Sequence, residues 1–293
     1  IPIIENLVLN HCDDNQDGIF GFDTSNLQTT LLNGLTNVSI TYKDQSGINL
    51  PSPLPNPFVT SSQTITARAT NNTTTACYEE ATIQFIVDDL PEAFPIASIF
   101  TTVCDDEVNP LTQDGLFPFN TSTFQATILG SQTGMLVNYY AANGAALPSP
   151  LPNPFTTTTQ TITAEVINSI NTNCKATLSI PFVVKPTPRI NTVGTELVCS
   201  NNPNFIKTID AGLEDVSTIN NFSYQWFLDG TILSGETNYS LVVNTEGSYT
   251  VLVTNVQNCS KTRTITVTAS NIATIENIVI NDLSDNNSIL VNV

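Results

Sequence analysis

Leu50-Pro51-Ser52-Pro53-Leu54-Pro55-Asn56-Pro57-Phe58 returns letter for letter as Leu147-Pro148-Ser149-Pro150-Leu151-Pro152-Asn153-Pro154-Phe155, an offset of 147 − 50 = 97 residues. Each copy leads into a Thr-rich alternating segment, Gln63-Thr64-Ile65-Thr66-Ala67 and Gln160-Thr161-Ile162-Thr163-Ala164, and then to a cysteine at the same offset, Cys77 and Cys174. Upstream, both copies carry Cys-Asp-Asp (Cys12 and Cys104) and Asp-Gly-x-Phe-x-Phe (Asp17 to Phe22, Asp114 to Phe119). The first of these pairs is offset by 104 − 12 = 92 and the second by 114 − 17 = 97, so five residues are inserted in the loop Glu107 to Gln113. A period near 97 is too long for a solenoid unit of about 20–50 residues and matches one self-contained domain. The chain therefore reads as a tandem array: residues 1–92 and 93–186 as two repeats, 187–270 as a third sandwich, and 271–293 as the first strands of a fourth, truncated domain.

Thr, Ser, Asn, Val and Ile dominate the 293 residues while strong helix formers are scarce, which predicts an all-β chain. Twenty-six acidic residues face 8 basic ones, a formal net charge of −18. Such a surface disfavours nucleic acid and anionic lipid as partners and suits divalent cations or plain solubility. No run reaches the ~18 apolar residues of a membrane helix. The chain opens on Ile1-Pro2-Ile3-Ile4, which reads as an interior piece of a longer protein.

In the repeats, period-2 alternation predicts strands at Val38 to Tyr42, Gln63 to Ala69 and Thr82 to Val87, with their counterparts in the second copy. Leu27, Leu31 and Leu32 share one face of a short helix, capped by Asp23 or Thr24 and ended by Asn33-Gly34. Four prolines between Leu50 and Phe58 forbid a central strand, leaving a crossover between sheets or a polyproline ligand. The third unit places strands at Phe205 to Ile209, Phe222 to Phe227, Tyr239 to Val243, Gly247 to Val253 and Thr262 to Thr268, with turns at Asp229-Gly230 and Glu246-Gly247. Its Tyr224-Gln225-Trp226 strand and Gly247-Ser248-Tyr249-Thr250-Val251 strand resemble bacterial immunoglobulin-like and polycystic-kidney-disease-type domains, with Val251 where an antibody domain has cysteine. Trp226 is expected in the core. The fold class is thus tandem immunoglobulin-like β-sandwiches in an elongated series, with a final hairpin turning at Asp282 and Asp285.

Six cysteines fall two per domain, without Cys-x-x-Cys and with a single histidine, His11, which argues against zinc. Paired cysteines in small β domains suggest an oxidising exterior. One lies near the start of each unit and one near its last strands, so the expected bridges are Cys12–Cys77, Cys104–Cys174 and Cys199–Cys259, against the alternative of buried free thiols.

Asp13-Asp14-Asn15-Gln16-Asp17-Gly18 matches the opening of a calcium loop, in which alternate side-chain oxygens converge and glycine permits the turn. Asp13, Asn15, Asp17 and Asp23 would supply side-chain oxygens and Ile19 a carbonyl. The second copy keeps Asp105, Asp106 and Asp114 with broken spacing, a weaker site. The alternative is an acidic turn satisfied by its own Asx hydrogen bonds. No nucleophile, phosphate-loop or metalloprotease motif is present, and the acid pairs Asp88-Asp89 and Glu79-Glu80 sit at strand ends, so no enzymatic activity is expected. Tyr42, Tyr139 and Tyr140 are the aromatics that a polysaccharide-binding face would use.

The repeated Cys-Asp, Asp-Gly-x-Phe-x-Phe, Pro-rich crossover, Gln-Thr-Ile-Thr-Ala and closing cysteine resemble the tandem modules of large surface proteins of gliding and related Bacteroidetes, the SprB-type adhesins. The tail Ile275 to Ile289 resembles the module preceding type B sorting domains of the type IX secretion system. The resemblance implies export by that machinery through a sorting domain outside this chain, and display at the outer surface without membrane insertion. A stalk or adhesin segment engaging polysaccharide, protein or abiotic surfaces is the function it implies. A structural spacer for a distal enzyme or binding head, or a polysaccharide-binding module, is the alternative.

Overall fold

The computed structural model describes residues 2–199, 202, 204–270, 277–281 and 288–292. They divide into two compact units: residues 1–101, 119–155 and 160–182 form one, and 102–118, 156–159 and 183–293 the other.

In the first repeat, alternation along Gln63–Asn71 and Tyr78–Asp88 buries every second side chain, which is what a sheet with one solvated face requires. These two strands form the centre of a five-stranded sheet. Val38–Lys43 and Asn49–Leu50 extend it on one side by antiparallel pairing. On the other side Leu7–Cys12 runs parallel to Tyr78–Asp88, placing Cys12 opposite Asp88. A second layer consists of Phe20–Phe22 paired with Phe58–Thr60, and the helix Leu27–Leu32. Phe85 is the hub between layers, with Phe22 and Phe58 at ring-centroid distances of 5.0 and 5.1 Å. Ile40, Ile65, Ile83 and Leu31 close the core around it. Full burial of each such side chain stabilises the fold by about 1.5–3 kcal/mol.

The Pro-rich stretch is the crossover between these layers. Leu54 is buried in the core, and Ser52 Oγ donates to the Ile40 carbonyl at 2.6 Å. Thr24 latches it: its hydroxyl donates to the Pro55 carbonyl at 2.7 Å and its amide to Asn56 Oδ1 at 3.0 Å. The helix therefore lacks the expected side-chain cap from Asp23 or Thr24; its N-cap is Asn26, which makes no side-chain cap bond. It ends as expected, with Asn33 and Gly34 at positive φ. The bonds Ser52–Pro53 and Asn56–Pro57 are cis, as are Ser149–Pro150 and Asn153–Pro154.

The second repeat reproduces this in detail. Phe182 takes the place of Phe85, with Phe119, Phe155 and Phe124 around it at 4.7, 5.3 and 6.1 Å. Thr121 repeats the latch to Pro152 and Asn153 at 2.7 and 3.0 Å. Within the second unit, Thr102–Cys104 pairs in parallel with Val183 to Lys185, setting Cys104 opposite Lys185.

The third module keeps the plan, with a second layer of two four-residue strands. Val193–Cys199 runs parallel to Ser260–Ser270, followed by Gly247–Asn255, Phe222–Leu228 and Thr231–Ile232. Lys207–Asp210 and Ser240–Val243 pair to form the second layer. Trp226 is fully buried, its indole N–H donating to the Asn238 carbonyl at 2.9 Å. The Asp229-Gly230 turn has φ of 48° and 80°, the double positive φ of a two-residue hairpin loop. Asn277–Asn281 and Ser288–Asn292 form an antiparallel hairpin, and the turn expected at Asp282 and Asp285 lies outside the described residues. Tyr42 and Tyr139 are each 1% exposed, so alternation turns them into the core and away from any glycan face. Burial pushes both phenols up to about 12.

Candidate functional site

The strand register decides where the cysteines go. Cys12 pairs opposite Asp88, the last residue of the 11-residue strand Tyr78–Asp88, while Cys77 stands immediately before its first. Eleven steps of ~3.3 Å put the two thiols roughly 36 Å apart along that strand. A disulfide tolerates a Cα separation of only about 7 Å. The same arithmetic governs Cys199, opposite Ser270, and Cys259, just before Ser260–Ser270. The expected pairs Cys12–Cys77, Cys104–Cys174 and Cys199–Cys259 are therefore incorrect, because each joins opposite ends of one module.

The bonds run between successive modules instead. Cys12 of the first repeat is bonded to Cys174 of the second, with a Cα separation of 5.4 Å. Cys104 of the second is bonded to Cys259 of the third, at 5.7 Å. Cys174 and Cys259 are completely buried in these joints. Cys77 and Cys199 are half-buried free thiols.

A hydrogen bond accompanies each bridge. Asn168 closes the nine-residue strand Gln160–Asn168; its Oδ1 accepts from the amides of Ile170 and Asn171, and its Nδ2 donates to the Asp89 carbonyl at 2.9 Å. Asn255 closes the nine-residue strand Gly247–Asn255; its Oδ1 accepts from Gln257 and Cys259, and its Nδ2 donates to the Pro186 carbonyl at 2.8 Å. Asp89 and Pro186 are equivalent positions of the repeat, 97 residues apart. The first joint adds Asn171 Nδ2 to Asp88 Oδ2 at 2.7 Å, and a reciprocal pair between Gln132 and the Glu92 backbone at 2.8 and 2.9 Å. Asp88 thus binds a joint asparagine, and Glu80 pairs with Arg68 on the surface at 2.7 Å. The second joint adds Lys185 Nζ to the Gln257 carbonyl at 3.4 Å, and Lys261 Nζ to the Glu107 carbonyl. Each joint also bears a cleft. That of the first is polar, about 520 Å³, and lined by Asp13, Asp17, Asp89 and Glu92. That of the second, about 690 Å³, is bordered by Pro186, Pro188, Leu213 and Phe222.

The acidic loops lie at these joints. Asp13, 3% exposed, accepts from the amides of Gln16 at 2.9 Å and Gly18 at 2.6 Å, with Asn15 at 3.3 Å. Burial pushes its carboxyl up, but the Gly18, Asn15, Gln16 and Asp17 amides outweigh that and hold it below the ordinary carboxylate value. Asp17 accepts from Ile19 N at 2.8 Å and from Asn15 Nδ2 at 3.0 Å, while Asp23 accepts from Ser25 N at 2.9 Å. The oxygens of Asp13, Asn15, Asp17 and Asp23 are thus turned toward neighbouring N–H groups. In the second repeat Asp105 repeats the Asp13 contact, accepting from Gly115 N at 2.9 Å. The five-residue insertion there brings in Glu107, which sequence spacing did not single out. Oxygens of Asp105, Glu107 and Asp114 lie within 4.8 Å of one another, and Asp106 does not join them. Glu107 Oε2 is buried without a hydrogen-bond partner. His11 stacks on Phe20 at 3.6 Å and donates from Nδ1 to the Cys12 carbonyl at 2.8 Å. Among the described residues, no helix is long and apolar enough to cross a membrane.

No curated protein sequence matches the chain. Solved structures resemble it at low identity. They include the Sidekick-1 immunoglobulin domains 1–5 (14% identity, 82% of this chain, 53% of that one, TM-score 0.27). The insect immune protein hemolin covers 94% of this chain and 78% of its own at 11% identity and TM-score 0.28. SGBP-B of the Bacteroides ovatus mixed-linkage glucan utilization locus, in complex with a mixed-linkage heptasaccharide, covers 80% of this chain and 61% of its own at 10% identity and TM-score 0.17. The chain spans about half the length of the Sidekick-1 structure. Residues 8–91 and 100–188, more than half of the chain, match one family model, in register with the two repeats whose joints have just been described. The chain belongs to the Flavobacterium inter-domain disulphide bond domain family.

Proposed function

We propose that this chain is a stalk segment of an extracellular Bacteroidetes surface adhesin, holding a binding surface away from the cell through covalently locked joints. The carrying observation is that both bridges cross module joints, at Cys12–Cys174 and Cys104–Cys259. Disulfides persist in oxidising compartments, which supports a place outside the cell. In this reading the type IX machinery exports the chain by a sorting domain beyond it, and its ligand is a polysaccharide, a protein or an abiotic surface. The overlapping loops limit how far the chain can lengthen under load. Between Cys12 and Cys259 the backbone covers 259 − 12 = 247 residues, but the bridged path needs only the 174 − 104 = 70 residues from Cys174 back to Cys104. At ~3.5 Å per extended residue, this predicts roughly 245 Å of stretch when oxidised against about 865 Å when reduced. Single-molecule pulling measures both; equal lengths would rule out the locked stalk. Adsorption of residues 1–270 to polysaccharide, protein or abiotic surfaces tests whether the segment itself also adheres.

Calcium is the proposed ligand of the acidic loops. Convergence of Asp105, Glu107 and Asp114, with an unpartnered Glu107 oxygen, supports the second loop over the Asp13, Asn15, Asp17, Ile19 and Asp23 loop. A site with Kd of about 10⁻⁴–10⁻³ M suits extracellular calcium. Calcium at ten times Kd would stabilise it by roughly 1.4 kcal/mol. Thermal unfolding with calcium and with chelator tests this, and an unchanged midpoint refutes it.

A further inference from the structure

The insertion that distinguishes the second repeat from the first lies at the second joint, and the loop carrying it touches both the linker and the third module. Gln113, near the end of the loop, clasps the linker. Its Oε1 accepts from Thr187 N at 2.8 Å, and its Nε2 donates to the Thr187 carbonyl at 3.0 Å. Earlier in the loop the Glu107 carbonyl accepts from Nζ of Lys261, which follows Cys259 by two residues on the strand Ser260–Ser270. In the first repeat the corresponding Gln16 reaches its own linker, Nε2 donating to the Leu90 carbonyl at 3.2 Å. Without the insertion, that repeat has no residue in the place of Glu107.

The same loop gathers three carboxylates, with oxygens of Asp105, Glu107 and Asp114 within 4.8 Å of one another. Asp105 accepts from Gly115 N at 2.9 Å and Asp114 from Leu116 N at 2.8 Å. Glu107 differs: its Oε2 is sealed from solvent and, among the described residues, accepts no hydrogen bond. A buried, unpartnered carboxylate oxygen beside two further carboxylates is unfavourable until a cation completes it. The donors are all hard oxygens, with no nitrogen or sulfur among them, which suits calcium in preference to a softer metal.

We propose that calcium at Asp105, Glu107 and Asp114 is the clamp of the second joint, closing the inserted loop so that it holds Thr187 and Lys261. This rests on the reading of the second acidic loop as a calcium site and adds what binding there does. The coupling passes through single residues: the Glu107 side chain ligates the ion while the Glu107 carbonyl holds Lys261. Without the ion, repulsion among the three carboxylates drives Glu107 outward, and its carbonyl leaves Lys261 with it. Gln113, adjacent to Asp114, is drawn off Thr187 by the same opening. The first joint lacks this coupling.

The test compares the full chain with and without calcium chloride, after isothermal titration calorimetry has given Kd. At about ten times Kd, mass action suppresses opening of the ion-free loop about elevenfold. Thr187 stands between Pro186 and Pro188, so its amide is the one exchangeable backbone proton of that tripeptide. Hydrogen exchange at that amide, followed by NMR, should slow by the same factor. So should acylation of Lys261 by a water-soluble succinimidyl ester, followed by mass spectrometry. Glu107→Gln, which removes a charge at constant size, should abolish calcium binding at this loop together with both effects. Gln113→Ala leaves the three carboxylates in place. It should bind calcium as the parent does and keep the protection of Lys261, while the Thr187 amide no longer responds. If the parent binds no calcium that Glu107→Gln loses, the calcium reading of this loop fails and the clamp fails with it. If that binding is present but exchange at Thr187 and acylation at Lys261 are unchanged, the clamp alone is overturned. A Gln113→Ala chain whose Thr187 amide still slows on adding calcium overturns it as well.

Discussion

Removing the first bridge by Cys12→Ala with Cys174→Ala tests the pairing most directly. The closed loop spans a sequence separation of 162 residues. In the chain-entropy treatment such a loop constrains the unfolded state by about 5 kcal/mol, and native bridges in small secreted domains return about 2–5 kcal/mol. The two repeats joined by the bond comprise roughly 186 residues, for which an unfolding entropy of ~2.1 cal/mol/K per residue sums to about 0.39 kcal/mol/K. The unfolding midpoint of the two repeats should therefore fall by about 5–13 °C when followed by differential scanning calorimetry. The control is Cys77→Ala, which removes a free thiol and should leave the midpoint in place. Had the bond been Cys12–Cys77, Cys77→Ala would be destabilising instead of neutral. That reversal, or a double variant within ~2 °C of the parent, would refute the reasoning. Thiol titration of the unfolded, unreduced chain should count the two free cysteines, Cys77 and Cys199.

Trp226→Ala empties the centre of the third module and orphans the Asn238 carbonyl; denaturant unfolding followed by far-UV circular dichroism should show a loss of about 3–5 kcal/mol in that module. Asn168→Ala removes both the turn contacts and the bond to Asp89 while the bridge persists, costing about 1–3 kcal/mol, with faster hydrogen exchange at Ile170. Asp13 has its carboxyl held below the ordinary range, so its contribution is fully present above the unfolded value of ~3.9 and is lost as pH falls through the lower folded value. An acid titration of stability should therefore steepen below about pH 4 in the parent and flatten in Asp13→Asn.

The repeat made most of the fold legible. A stretch that returns at a fixed offset fixes a module size, and period-2 alternation fixes which faces are buried, so the strands from Gln63 and Tyr78 emerge with their inward residues correct. Trp226 was legible for the same reason, as a large side chain on the inward phase of a strand. The helix cap was not, because the latch from Thr24 to Pro55 spans 31 residues and competes with capping only once the crossover is in place. The cysteine pairing failed on a related point. Sequence shows one early and one late cysteine per module and suggests that they meet. Parallel pairing of the first strand with the last sends them to opposite ends, and parallel register leaves no turn in the sequence to reveal it. One signal was available: the strand-ending asparagines Asn71, Asn168 and Asn255 stand six, six and four residues before Cys77, Cys174 and Cys259. In the acidic loops, local spacing pointed to the first repeat, whereas the insertion at Glu107 to Gln113 is what lets a third carboxylate fold back.

The placement of the bridges follows from what each module lacks. Phe85 and Phe182 each sit amid other aromatics between two layers, so these modules close their own cores and a bridge inside one would restrain what packing already holds. A joint between small domains has no such core, and relative motion there is the default. A single covalent link stops the ends from separating but leaves rotation about the linking bonds. The asparagine clasp supplies a second point of attachment beside each bridge. Neither part substitutes for the other: a hydrogen bond of about 1 kcal/mol cannot hold a joint under load, and a disulfide cannot set its angle. The nine-residue strand places both at one end of its module, so the element that builds the core also delivers the joint. A chain keeping both bridges but carrying Asn168→Ala and Asn255→Ala should accordingly keep its stretched length under force while its small-angle scattering shows a broader distribution of interatomic distances.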